Sequence, residues 1–222
     1  MGTAKVLQVG AGGLGSIIAL QLTQQGVGAL DVVDPDRVDL TNLSRQFYTR
    51  EDIGAYKAHA LPKRLAPFAT APTIIRGYAA AVEDTVLDEH HDIIICGVDN
   101  EPTNVTVAAQ ALHTGTPVVF VNVSADGEAC RIFIQTPDGA CFACYKPAAL
   151  IPRPPRPCLP TPAIVDILHI AAGLAVRAAT TLLLGQSIGD YNCRDLTMSG
   201  INIIKTVPRR KTCPLCSRTN MQ

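Results

Sequence analysis

The sequence predicts an α/β fold of the Rossmann-like type, with a mostly parallel sheet that carries an antiparallel extension. Three observations support this prediction. A glycine-rich turn follows the first short apolar run, as in strand–turn–helix units that bind nucleotide phosphates. Further apolar runs alternate with stretches of helical character, which is typical of a sheet built from parallel strands. Two later apolar runs flank the turn residues Asp126 and Gly127, which indicates an antiparallel pair.

Length and composition indicate one compact domain over residues 1–222. The chain has zero formal net charge, 47% hydrophobic residues and 17% charged residues. A neutral chain of this kind has no general affinity for polyelectrolytes, so nucleic acid is not an expected partner. No secretory signal precedes the first apolar run, and we expect a cytoplasmic protein in a reducing compartment.

The elements of the first half follow from apolar runs and breakers. Strands are predicted at residues 4–9, 29–34, 73–78 and 92–96, and a helix at residues 13–25. A second helix is predicted at residues 51–69. It contains Pro62, which should kink or split it near Leu61.

The second half begins with a predicted helix at residues 100–113 and strands at residues 117–124 and 129–135. Residues 145–162 contain seven prolines, which predicts a surface crossover loop without regular structure. The apolar stretch at residues 163–184 approaches membrane-spanning length. Because Asp166, His169 and Arg177 interrupt it, we expect a buried helix and no membrane association. A single late strand is predicted at residues 196–207.

The glycine turn and the end of the second strand together predict a phosphate and ribose site. Gly10 suits the tight turn, Gly12 a close approach of backbone to phosphate, and Gly15 close packing of helix on strand. Asp34 follows the second strand, at the position where such units place a carboxylate on ribose.

The residues after Asp34 separate this sequence from an ordinary dehydrogenase. They include Arg45, and Lys57 follows on a predicted helix. Cations that converge on a nucleotide suit a reaction in which pyrophosphate leaves, because charge develops on phosphate oxygens. Hydride transfer has no such requirement.

Two Cys-x-x-Cys pairs predict a metal site. Cys141 with Cys144, and Cys213 with Cys216, supply the four thiolates of a closed tetrahedral zinc site, which would clip the C-terminal tail to the loop after the sheet. A redox pair or inert thiols are the alternatives.

The remaining cysteines and histidines have simpler interpretations. Cys96, Cys130 and Cys193 are expected to be packing thiols, with Cys193 in a late loop. The histidines show no metal or triad spacing: His90 and His91 are expected at the surface, whereas His113 and His169 are expected to pack helices.

In combination, these motifs resemble the ThiF/MoeB/HesA family, adenylating enzymes that activate ubiquitin-like and sulfur-carrier proteins. The motifs are the Gly-Ala-Gly-Gly-Leu-Gly-Ser turn, the Asp-x-Asp-x-Val-x-x-x-Asn-Leu-x-Arg-Gln block, Lys57, Val98-Asp99-Asn100 and the two cysteine pairs. The resemblance runs over nearly the whole chain and implies a ThiF-like adenylation domain that uses ATP, Mg²⁺ and Zn²⁺.

The resemblance also implies roles for individual residues. Asp34 would hold the ribose hydroxyls, Arg45 and Lys57 would contact ATP phosphates, and Asp99 would position Mg²⁺. Taken singly, Asp36, like Asp39 and Arg50, is more typical of a solvated surface charge. The full nucleotide set is Gly10, Gly12, Gly13, Gly15, Asp34, Asp36, Asn42, Arg45, Gln46, Lys57, Asp99 and Asn100.

Cys158 is a further candidate. It lies in the crossover loop before the long helix, where many family members carry a cysteine that takes the acyl group from the adenylate. Arg156 and the helix N-terminus would favour its thiolate. The alternative is an exposed thiol without a catalytic role.

The resemblance implies adenylation of the C-terminal glycine of a ubiquitin-like or sulfur-carrier protein, followed by thioester formation on Cys158. Three alternatives stay open: adenylation alone, with a sulfur donor or another small nucleophile attacking the adenylate; a non-catalytic partner subunit, against which Arg45, Lys57 and Asp99 argue; and an NAD-dependent oxidoreductase. A downstream conjugating enzyme or sulfur donor is a further expected partner.

The resemblance implies a homodimer formed through residues 163–184, whose small residues permit close helix approach. Many relatives also carry an N-terminal arginine that reaches the partner's ATP site, and no counterpart precedes the first strand here. We expect a cation from the partner subunit or from a neighbouring protein to replace it.

Overall fold

The computed structural model describes residues 1–84, 90–151 and 165–217, and it confirms the predicted α/β fold. Eight strands form one sheet in the order β3-β2-β1-β4-β5-β6-β7-β8. Strands β1 to β5 pair in parallel, and β5 to β8 pair antiparallel. The strands are β1 Lys5–Val9, β2 Ala29–Val33, β3 Ile74–Tyr78, β4 Ile93–Cys96, β5 Val118–Val123, β6 Ala129–Gln135, β7 Cys193–Thr197 and β8 Asn202–Lys205.

Helices cover both faces of the sheet. They are α1 Gly13–Gln24, α2 Lys57–Leu65, α3 Glu101–Thr114, α4 Phe142–Tyr145 and α5 Val165–Leu183. Because successive side chains of a strand point to opposite faces, Val6 of β1 packs in the core shared with α1 and α5, whereas Leu7 packs in the core shared with α3 and α4. Strands β1, β2 and β4 are parallel, so the segments that follow them lie at one edge of the sheet.

Helix α5 is a core helix of this fold, as predicted. By length and composition it could cross a bilayer, yet it packs against α1, β5 and β6. Ile167, Ala171, Ala175 and Ala179 are fully buried. Its small residues therefore serve close packing within the chain.

The predicted helix at residues 51–69 is wrong in its bounds, and the helix is not split near Leu61. The segment forms two 3₁₀ turns, Arg50–Asp52 and Ala66–Phe68, around α2, and α2 continues through Pro62. Proline has no N–H to donate to the carbonyl of Ala58. Gly77 of β3 packs on that carbonyl, since a Cβ on Gly77 would lie 1.8 Å from Ala58 O. The absence of a Cβ on Gly77 therefore lets β3 approach α2 at the carbonyl that lacks its helical hydrogen bond.

The predicted single strand at residues 196–207 is a hairpin instead, formed by β7 and β8. Gly200 has a φ of +92°, and its N–H donates to the carbonyl of Thr197 at 3.0 Å, which closes the turn. Cys193 is the buried first residue of β7 and does not lie in a loop.

The crossover segment is not wholly irregular either. Tyr145 ends α4, and Pro147–Leu150 forms a 3₁₀ turn. Residues 152–164, which include Cys158, lie outside the described residues.

Three histidine predictions are wrong. His91 is buried, and its Nε2 lies 2.9 Å from Oδ2 of Asp31. His113 and His169 are exposed instead of packing the helices to which they belong. The two helices point other residues at the core, including Ala111 and Leu168.

Candidate functional site

The glycine turn joins β1 to α1 and presents the N-terminus of that helix. Gly10 has a φ of +92°, and its N–H donates to Val33 O at 2.8 Å. A Cβ on Gly15 would lie 1.9 Å from Gly10 O, so only glycine lets the helix approach the turn. Among the described residues, no side chain caps the helix at Gly12. The first amides of α1 are therefore available to an anion such as a phosphate.

Asp34 joins the glycine turn to the segment after β2. Its Oδ2 accepts a 2.6 Å hydrogen bond from the N–H of Ala11, and its Oδ1 accepts a 2.8 Å bond from the N–H of Asp36. Burial raises the pKa of Asp34, although the two amides and the nearby Lys57 oppose that shift. Each carboxylate oxygen retains a lone pair that a ribose hydroxyl could use.

Lys57 is held at the start of α2, beside the turn. Its Nζ lies 2.8 Å from Oδ2 of Asp36, with the lysine side chain 8% exposed and the aspartate side chain 66% exposed. The N–H of Lys57 also donates to Asp36 O at 2.8 Å. Asp36 is therefore exposed, as its sequence suggested, yet it has a defined partner in the site.

Tyr48 is a site residue that the sequence reasoning missed. Its hydroxyl donates to Ala11 O at 2.7 Å. Burial and the nearby carboxylates of Asp34, Asp52 and Asp36 raise its pKa, so the hydroxyl stays protonated. The sequence offers one indication of this role, since Tyr48 lies two residues after Gln46, which is a predicted nucleotide residue.

The 3₁₀ turn Leu40–Asn42 positions the residues that follow it. Asp39 and Asn42 form a capping box, and the carbonyl of Asn42 accepts the N–H groups of Arg45 and Gln46 at 3.1 and 3.0 Å. The guanidinium of Arg45 donates to Thr41 O at 2.9 Å. Asn42 thus acts as a scaffold for both residues.

Gln46 faces the glycine turn. A Cβ on Gly12 would lie 3.9 Å from Gln46 Nε2. The Oε1 atom is buried, and no donor reaches it within the described part of the chain. Buried polar atoms normally have a partner, so an unsatisfied one beside the turn is consistent with a site for a ligand or ordered water.

Asp99 and Asn100 follow β4 and have different surroundings. Asn100 caps α3, with its Oδ1 accepting the N–H of Thr103 at 2.8 Å. Asp99 is exposed and lines a cavity of about 40 Å³ together with Arg131 and Lys146, two cations that the sequence reasoning missed. No sequence motif marks them, because β6 and the segment after α4 bring them there.

The structure therefore brings together most of the predicted nucleotide residues. The glycine turn contacts Asp34, and Arg45 O lies 3.6 Å from the position of a Cβ on Gly13. The segment before Asp99 reaches the same turn, since Val98 Cγ1 lies 3.0 Å from the position of a Cβ on Gly10. This arrangement can bind a phosphorylated ligand between helix amides and an ammonium group.

The four predicted metal ligands form one buried cluster. The Sγ atoms of Cys141, Cys144, Cys213 and Cys216 all lie within 4.8 Å of one another. Individual Sγ–Sγ distances are 3.8 Å for Cys141 and Cys144, and 3.5 Å for Cys141 and Cys213. A tetrahedral zinc with Zn–S bonds of about 2.3 Å requires about 3.8 Å between sulfurs. The cluster therefore has the composition and nearly the spacing of a closed zinc site.

The backbone around the cluster favours the thiolate form of Cys213, whereas burial and the neighbouring thiols raise the pKa of Cys141 and Cys216. The N–H of Arg210 lies 3.3 Å from Cys144 Sγ. Burial alone would raise the pKa of Cys213, but the amides of Cys216 and Leu215 and the neighbouring thiols lower it to about 6. A thiolate is the form that binds a metal ion.

Comparisons with known proteins identify the family to which this chain is similar. The ThiF family profile matches residues 1–217. The chain is 31% identical to a sulfur carrier protein adenylyltransferase of Thermus thermophilus, over 96% of this chain and 82% of that protein. It is also 31% identical to a SAMP-activating enzyme E1 of Haloferax volcanii, over 96% of this chain and 80% of that protein.

Among solved structures, the fold is similar to that of E. coli MccB with MccA-N7isoASN. The TM-score is 0.81 at 16% identity, over 96% of this chain and 66% of that one. At this identity the likeness shows the fold alone. The profile match, the sequence relatives and the glycine turn with its aspartates lead to one conclusion: the chain belongs to the ThiF family.

Proposed function

We propose that this protein catalyses ATP-dependent adenylation of the C-terminal glycine of a ubiquitin-like or sulfur-carrier protein. One observation carries the proposal: the uncapped N-terminus of α1, the Asp34 carboxylate and the buried Lys57 ammonium meet at one edge of the sheet. The relatives named as a sulfur carrier protein adenylyltransferase and a SAMP-activating enzyme support this substrate class.

The chemistry requires orientation and charge neutralisation more than a base. A C-terminal carboxylate is ionised at neutral pH, so it can attack the α-phosphorus directly. The new bond joins a carboxylate oxygen to that phosphorus, and the bond to the bridging oxygen breaks, so that pyrophosphate leaves with the electron pair. Lys57 and the first amides of α1 would stabilise the charge that develops on the phosphates.

Asp99 would hold Mg²⁺, whose role in such reactions is to neutralise phosphate charge. The exposed carboxylate of Asp99 offers the oxygen ligands that this ion prefers. The cysteine cluster would hold Zn²⁺ and join the segment after β6 to the C-terminal tail. Four thiolates leave no open position on zinc, so its role would be structural.

We also propose that Cys158 accepts the acyl group. Its thiolate would attack the carbonyl carbon of the adenylate, a thioester bond would form, and AMP would leave with the electron pair of the broken carbon–oxygen bond. In the alternative reaction, a sulfur donor attacks the adenylate and Cys158 has no role.

ATP–pyrophosphate exchange tests the first step. Exchange that requires a cognate Gly-Gly-tailed protein is the expected result. No exchange with any such protein would favour a non-catalytic partner subunit. Binding of a nicotinamide dinucleotide without binding of ATP would indicate an oxidoreductase instead.

A thiol-labile adduct with the carrier protein tests the second step. We expect the adduct to disappear in Cys158→Ala and to persist in Cys193→Ala, whose thiol is buried in β7. An unchanged adduct in Cys158→Ala would remove Cys158 from the mechanism and leave adenylation alone.

We further propose a homodimer. The small residues of α5 do not support it directly, because Ala171, Ala175 and Ala179 are buried within the chain. The apolar residues that α5 exposes are Val165 and Ile170, at 45% and 37%. Light scattering coupled to gel filtration would measure the mass, and a monomer at micromolar concentration would contradict this proposal.

A further inference from the structure

Gln8 is a fully buried polar residue in the strand that leads into the glycine turn. It is 0% exposed, and its neighbours in β1 are the apolar Leu7 and Val9. In the sheet it lies beside Val32 of β2 and Ile95 of β4. Burial of a carboxamide among aliphatic side chains costs free energy unless its hydrogen bonds compensate.

The carboxamide of Gln8 lies against the glycine turn. Its Nε2 donates to Gly10 O at 3.1 Å and to Val9 O at 3.3 Å. The position of a Cβ on Gly15 is 3.2 Å from the same nitrogen. The Oε1 atom of Gln8 is buried and has no donor among the residues described. Packing alone would favour an aliphatic residue here, which would not bury an unsatisfied oxygen.

Gln8 and Asp34 hold the two ends of one peptide group. Gly10 O accepts from Gln8 Nε2, and the N–H of Ala11, on the same peptide plane, donates to Asp34 at 2.6 Å. Tyr48 bonds the next carbonyl, that of Ala11. Because a peptide group is planar, fixing its carbonyl and its N–H fixes its orientation.

We infer that Gln8 is a positioning residue for nucleotide binding. It acts through the peptide between Gly10 and Ala11, and it pre-orients the turn so that the amides at the start of α1 face the phosphates. This inference rests on the proposed function. Without the Gln8 hydrogen bond, the turn would have to be ordered when ATP binds, which weakens binding.

The test compares two buried glutamines by calorimetric titration with ATP. Gln8→Met replaces the carboxamide by an unbranched apolar group of similar length. Gln135→Met is the matched control, because Gln135 is 1% exposed in β6 and bonds Ala108 O and the N–H of Phe142, away from the glycine turn. We expect Gln8→Met to weaken ATP binding about 3- to 10-fold, which is the usual effect of losing one hydrogen bond. Gln135→Met should bind ATP as the wild type does.

A kinetic measurement separates positioning from general stability. In pyrophosphate exchange, Gln8→Met should raise the KM for ATP about 3- to 10-fold and leave kcat within about twofold. Equal effects of the two substitutions, or an unchanged ATP affinity in Gln8→Met, would overturn the inference while the proposed function stands. A wild-type protein that binds no ATP would overturn both. If Gln8→Met does not fold, Gln8→Leu allows the same comparison.

Discussion

Asp34 Oδ2 lies 2.6 Å from the backbone nitrogen of Ala11, so that a side chain at the end of β2 holds the turn at the end of β1. The other oxygen of the same carboxylate accepts a hydrogen bond from the N–H of Asp36, and the side chain of Asp36 forms a salt bridge with Lys57. One buried carboxylate therefore connects the glycine turn to the cation of the site.

Asp34→Asn should weaken both folding and nucleotide binding. The side-chain NH₂ of asparagine would face one of the two N–H groups that now donate to the carboxylate, and that N–H would lose its acceptor. We therefore expect the free energy of unfolding to fall by about 1.5–3 kcal/mol. Urea denaturation with and without ATP measures both effects. Asp138→Asn, at an exposed loop position, is the control and should change neither. An Asp34→Asn variant with wild-type ATP affinity would contradict this account of the site.

Lys57→Gln should reduce pyrophosphate exchange about 100- to 1,000-fold, the usual loss for one group that stabilises developing charge. Lys63→Gln is a matched control on the same helix, and it should retain exchange within about twofold, since Lys63 lies away from the glycine turn in the last turn of α2. A Lys57→Gln variant with normal exchange would exclude Lys57 from the reaction.

Gly15→Ala should destabilise the fold by about 1–3 kcal/mol or more, because the new Cβ would lie 1.9 Å from Gly10 O. Gly173→Ala is its control in another helix. Among the described residues, no atom outside the adjoining backbone of α5 lies within 4 Å of a Cβ there, so this substitution should stabilise α5 by up to about 1 kcal/mol. Thermal unfolding measures both, and equal effects would show that the contact at Gly10 does not constrain the turn.

Removal of one cysteine should release the metal. We expect elemental analysis to find about one zinc ion per chain in the wild type, and far less in Cys213→Ser or Cys216→Ser. Cys130→Ser removes a buried thiol outside the cluster and should retain the metal. Full zinc content in both knuckle variants would show that the four sulfurs do not bind a metal together.

Asp31 should make stability depend on acid pH. Burial alone would raise its pKa, but the hydrogen bonds from His91 and Arg76 lower it overall below 3.8. Asp31 therefore stabilises the fold above about pH 4, and this contribution is lost as the pH falls through its folded-state pKa. We expect Asp31→Asn to cost about 1.5–3 kcal/mol at neutral pH, with a smaller difference from wild type below pH 3.8. A difference that does not change with pH would contradict this role.

The sequence alone determined the fold class, the parallel and antiparallel parts of the sheet, and the family. These depend on local chemistry: apolar runs, glycines where a side chain would clash, and cysteines at metal-binding spacing. The four-cysteine cluster could be predicted because each Cys-x-x-Cys pair places two metal ligands side by side.

Only the tertiary structure decided which distant groups meet. The close approach of β3 to the carbonyl of Ala58 depends on Gly77, and the burial of His91 depends on Asp31. The contact of the Tyr48 hydroxyl with the carbonyl of Ala11 likewise depends on how the segment after β2 folds back onto the glycine turn. A residue's periodicity gives the face on which its side chain lies, but its partner is set by the packing of elements distant in the chain, which no local pattern encodes.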